Sequence, residues 1–138
     1  MDEDERLKLN SFIELNFQLD KKVKISPIGE VVGVDGRVFI IDGNKVLEAT
    51  KKIGIDIALN ENHWGSKAFG WFALNSLELR DDGIYANLEL NDLGKPAVEN
   101  RHYRYLSPEY MVDNNRNVLS IVGVGLVNQP IASFSLKF

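Results

Sequence analysis

The chain predicts a mainly β fold, α+β by class, in which one or two peripheral helices accompany an antiparallel β-barrel or sandwich. Three observations carry that expectation: apolar residues recur with a period of two in many short runs, turn signals fall about every ten residues, and one segment alone has convincing helical spacing.

In order along the chain, residues 1–10 are charged and are expected to fray or to form a short helical lead. Ile13, Leu15, Phe17 and Leu19 alternate as in a half-buried strand, and Val23 and Ile25 repeat the pattern before Pro27. Asp35-Gly36 is a turn dipeptide, followed by the β-rich run Arg37 to Asp42. Gly43 to Ile53 is the predicted helix, with Val46, Leu47, Thr50 and Ile53 on one face and Gly54 placed to stop it. Ile55, Ile57 and Leu59 alternate again and lead into the polar loop Asn60 to Gly65. Trp71 to Arg80 reads as one arm of a long hairpin that turns at Asp81-Asp82-Gly83 and returns through Ile84, Ala86, Leu88 and Leu90. Asn91 to Arg101 has room for a short helix. Tyr103 to Val112 sets Leu106, Pro108, Tyr110 and Val112 on one face and Tyr105, Ser107, Glu109 and Met111 on the other. A turn at Asp113 to Asn117 then leads into the most apolar strand, Val118 to Val127.

Composition narrows the function classes. A length of 138 residues suits one domain, residues 1–138, and 44% hydrophobic with 26% charged residues is an ordinary globular balance. The net charge of −4, with scattered basic residues, argues against nucleic acid, because phosphate neutralisation needs the opposite excess. The absence of cysteine excludes disulfides, thiolate catalysis and cysteine-bound metal, and two histidines leave little for any metal site. The acidic start lacks the order of a signal peptide, so a cytoplasmic location is expected. Asn117 to Leu136 has 20 consecutive uncharged residues, but Ser120, Asn128, Gln129 and Pro130 interrupt it, and it reads as a buried strand and turn rather than a membrane span.

No phosphate loop, dinucleotide fingerprint, zincin helix or nucleophile elbow is present. Hydrolysis by a serine or by carboxylates remains. Ser107 lies in the strand Tyr103 to Tyr110, where Pro108 holds its backbone extended and presents the hydroxyl rigidly. A hydroxyl needs a neutral imidazole within hydrogen-bond reach to take its proton. His102 lies five residues earlier on or near the same strand and points elsewhere unless the chain bends. His63 ends a separate strand and can converge on Ser107 in a small barrel. The plainer alternatives are a hydrogen-bonded strand hydroxyl and a packed histidine beside Trp64.

Five segments in order resemble the Mu-like phage capsid-maturation protease family, the prophage I protein group of head proteases. They are Ile55 to His63, Ala68 to Phe72, Leu77 to Ala86, Tyr103 to Tyr110 and Gly125 to Pro130. The resemblance implies a barrel-like fold of the herpesvirus-protease type and a serine endopeptidase that cleaves scaffold and major capsid proteins inside an assembling prohead. Ser107 falls at the family's serine and His63 at its histidine. The resemblance implies a helical scaffold region after the protease domain, and this chain is expected to be the protease domain without it. For the group that orients the imidazole, Asn128 is the choice on position, with Glu61, Asp56 and His102 as competitors. The family pattern carries an aspartate three residues before the histidine, where this chain has Asn60. Oxyanion donors are expected from backbone N–H groups around Gly123 to Gly125. No cofactor or metal is implied, and self-association is expected by analogy with the herpesvirus enzymes.

Overall fold

The structure, a computed structural model, describes residues 13–14, 22–33, 36–128 and 135–137. The expectations for residues 1–10, for Leu15, Phe17 and Leu19, and for Gln129 and Pro130 fall outside the described residues.

The predicted helix, α1 (Gly43–Ile53), is fixed by its own ends. The Asp42 carboxylate accepts from Lys45 N at 3.2 Å, and Gly54 adopts the left-handed conformation (φ 80°) that lets its N–H reach Lys51 O. Val46 and Thr50 are buried, whereas Ile53 is exposed because the chain turns away immediately after it.

The strands form three sheets. The largest has the order β1 (Ile13–Glu14), β10 (Tyr105–Val112), β11 (Val118–Val127), β5 (Ile57–Glu61), β6 (Gly70–Phe72) and β9 (Leu88–Leu90), and β12 (Ser135–Lys137) also pairs with β10. The second comprises β2 (Val23–Ser26), β8 (Gly83–Ala86) and β7 (Glu78–Arg80). The third is the pair β3 (Gly29–Val32) and β4 (Val38–Ile41). A second helix, α2 (Gly94–Glu99), follows β9.

The mainly β class with two helices is observed, but two details of the expected architecture change. The large sheet is mixed rather than antiparallel, because β11 runs parallel to β5 and β10 parallel to β12. Among the described residues no barrel closes. The physical reason lies in the long hairpin, whose first arm is interrupted by a 3₁₀ turn at Leu74–Ser76. Ser76 Oγ donates to Ala73 O (2.6 Å) and accepts from Asn87 N (2.9 Å), pinning both arms at the break. The base of the hairpin therefore joins the large sheet as β6 and β9, while its tip joins the second sheet as β7 and β8.

The core lies against one face of the large sheet, where Leu59, Phe72, Leu106, Tyr110, Val124 and Leu126 are buried. Two buried polar contacts tie other elements to it. Tyr110 Oη and Ser26 Oγ are 2.6 Å apart and Ser26 Oγ donates to Pro27 O, so Tyr110 is the donor to Ser26 and links β10 to β2. Burial holds the Tyr110 hydroxyl protonated far above the usual phenol range. Thr50 Oγ1 accepts from Ile121 N at 3.0 Å, docking α1 beside the point where Val122 breaks the β10–β11 register.

Candidate active site

The opposite face of the large sheet carries the chemistry. Along β10, alternation puts Ser107 and Glu109 on that face while Leu106, Pro108 and Tyr110 point to the core. Their cross-strand partners on β11 are Gly125 and Gly123, so no side chain from the central strand covers them. On the far side of β11, Asn60 of β5 pairs with Gly125.

The chain then turns back over the sheet. Asn62 and His63 both take left-handed backbone conformations (φ 54° and 63°), which cost non-glycine residues on the order of 1 kcal/mol or more each. Local hydrogen bonds hold them: Asn62 N donates to Leu126 O (2.8 Å), Trp64 N to Glu61 O (2.9 Å) and His63 N to Asn60 Oδ1 (2.9 Å). The outcome is an imidazole laid over Gly125. A Cβ on that glycine would lie 2.7 Å from both Cε1 and Nδ1 of the ring, and one on Gly123 would lie 3.1 Å from Glu109 Oε1.

His63 Nδ1 is 2.7 Å from Glu109 Oε2, and Asn60 Nδ2 donates to the same oxygen at 2.6 Å. An ionised carboxylate only accepts, so Nδ1 carries the proton and Nε2 keeps its lone pair in the neutral ring. The Glu109 side chain is 8% exposed and that of His63 21%, so the pair is largely shielded yet the ring still reaches solvent. Ser107 stands directly opposite Gly125 in the β10–β11 register, so it lies on the sheet face over which the ring is laid. Ser107 itself is buried, and among the described residues no hydrogen bond joins its hydroxyl to His63.

Of the three sequence-selected residues, Ser107 and His63 thus share one face of the large sheet. Asn128 stands apart from them: its Oδ1 accepts from Arg104 N (3.0 Å) and its Nδ2 donates to His102 O (2.7 Å), so it staples the segment entering β10. The competitors are placed elsewhere too. Asp56 accepts from Leu74 N at the opposite end of β5, Glu61 lies by the Tyr103 hydroxyl, which burial first and then that carboxylate hold protonated above the usual phenol range, and His102 is an exposed residue in a turn. The group that faces Nδ1 is Glu109, which the sequence reading placed on the Ser107 face without giving it a role. An acid two positions from the candidate nucleophile, on the same strand face, was the available signal.

Gly123 to Gly125 also serve differently from the expectation. Both glycines face β10 in register, Gly123 opposite Glu109 and Gly125 opposite Ser107, and what they supply is space for Glu109 and His63. Among the described residues, no group of three His, Asp or Glu side chains is placed to hold a metal ion, and no helix is long and apolar enough to cross a membrane.

A mainly β domain with a buried carboxylate, an imidazole and an alcohol on one sheet face is the setting in which the family relationship falls. Residues 23–135 match the model of the Mu-like prophage I protein, N-terminal domain, and the chain belongs to that phage family. No curated protein and no solved structure matches it.

Proposed function

We propose that the protein is a serine endopeptidase of phage head maturation, acting on scaffold and major capsid proteins within an assembling prohead in the host cytoplasm. The observation that supports it best is the Glu109–His63 contact at 2.7 Å, with the ring lying over the glycine directly opposite Ser107. In this reading the Ser107 hydroxyl attacks the scissile carbonyl and passes its proton to His63 Nε2, while Glu109 holds Nδ1–H and stabilises the imidazolium. The imidazolium then protonates the departing amine, and water, deprotonated by the same ring, releases the acyl group from Ser107.

A non-enzymatic, capsid-associated role is the second reading. It is favoured by the lack of a hydrogen bond between Ser107 and His63 among the described residues, although catalytic hydrogen bonds are often long before substrate binds. One experiment separates the two. The protein is co-expressed with its phage's scaffold and major capsid proteins, and processing is followed for wild type and Ser107→Ala. The protease reading expects processing that the variant abolishes; processing that is absent in wild type, or unchanged in the variant, would favour the structural role.

A further inference from the structure

We propose that Asn60 is a positioning residue for the His63 imidazole, using the two ends of one carboxamide to fix the acid and the base together. The proposal rests on the reading of His63 as the general base and extends it to a residue that touches no reacting atom.

The geometry separates two tasks. Asn60 Oδ1 accepts from His63 N at 2.9 Å, which stabilises a backbone held at φ 63°. Asn60 Nδ2 donates to Glu109 Oε2 at 2.6 Å, the oxygen that also faces His63 Nδ1 at 2.7 Å. Two donors converging on one carboxylate oxygen favour its ionised form and fix the direction from which it can hold the ring. A carboxamide is a rigid plane, so the distance between backbone anchor and carboxylate is set by a single side chain. Asn60 is able to span both because parallel pairing places it beside Gly125, over which the ring lies.

Among the described residues, the charged and titratable groups on this face are few. β10 contributes Glu109 and, on the same face, Tyr105; β11 contributes Gly123, Gly125 and Val127 there; on β5, the Glu61 carboxylate acts on the Tyr103 hydroxyl. An added charge at position 60 would therefore act mainly on Glu109 and His63.

Asn60→Asp divides the two tasks, since it keeps an acceptor for His63 N and replaces the donor to Glu109 with an oxygen. Two readouts follow. The His63 Nδ1–H proton resonance, measured by NMR on resting protein, should shift or be lost to exchange. The acid limb of the pH–cleavage profile should move to higher pH by about one unit, because a second carboxylate favours the imidazolium that cannot act as base. Asn60→Ala, read by the same resonance, covers the case in which the added charge prevents folding, and it too should lose the signal. If the resonance stays at its wild-type position in both variants, or the acid limb does not move in a folded Asn60→Asp protein, Asn60 is only a loop clamp and the proposal fails. A resonance that responds while Ser107→Ala leaves processing unchanged would keep the positioning role and remove only the hydrolase.

Discussion

Glu109 Oε2 lies 2.7 Å from His63 Nδ1 across 46 positions of sequence, on a sheet face where glycines leave the central strand bare. A carboxylate so placed decides which ring nitrogen carries the proton. Glu109→Gln preserves the shape and removes the charge, and the cleavage rate of the co-expressed substrates should fall by about 100-fold or more. Circular dichroism should show the fold unchanged; a rate within a few-fold of wild type would deny the acid this role.

Gly125→Ala tests the space that the ring occupies. The added methyl would lie 2.7 Å from Cε1 and Nδ1, closer than packed atoms allow, so the imidazole must move by an ångström or so. A displacement of that size is expected to cost about 100-fold in rate, while the melting temperature changes little because the His63 loop is at the surface. Normal turnover in this variant would mean that the ring is not held where the structure has it.

Thr50→Val probes the helix–sheet junction away from the site. Removing the hydroxyl leaves the buried Ile121 N–H without its acceptor, at a cost of about 1–3 kcal/mol, measured by urea denaturation. Tyr110→Phe is milder, since Ser26 keeps its bond to Pro27 O; the loss should be about 1 kcal/mol.

Asp113 gives the β10–β11 turn a pH dependence. Its carboxyl is held below the usual value chiefly by the backbone N–H of Asn117, then by that residue's side chain and by Asn115 N. The folded state thus prefers the ionised form. Its contribution is complete above the ordinary aspartate range and is lost as pH falls through the lowered value. Melting temperatures of wild type and Asp113→Ala should separate above the ordinary aspartate range and converge as the pH falls through the lowered value. Parallel curves across that range would show that the turn does not depend on this charge.

Much of the fold was legible because local chemistry agrees with it. Asp42 and Gly54 bracket α1, Leu106 to Val112 alternate as read, and Asp113 to Asn117 form the expected turn. The hairpin's division between two sheets was not, because Ser76 acts through a contact with Asn87, and nothing in the spacing of Trp71 to Arg80 announces a break. At the site, Ser107 and His63 were visible as rare, chemistry-bearing side chains at strand positions. Asn128 was chosen for its place before Pro130, yet it spends its amide on the backbone at 102 and 104. Glu109 escaped notice because an exposed and a buried strand carboxylate look alike until Gly123 and Gly125 are known to lie opposite.

The parallel pairing of β5 with β11 has a consequence for the timing of any activity. Ser107 and Glu109 reach their strand partners through the short β10–β11 turn, a local event, whereas His63 arrives only when a much longer loop has closed. Until those two segments meet, the alcohol and the acid already stand opposite their glycines while the imidazole has yet to be laid over them.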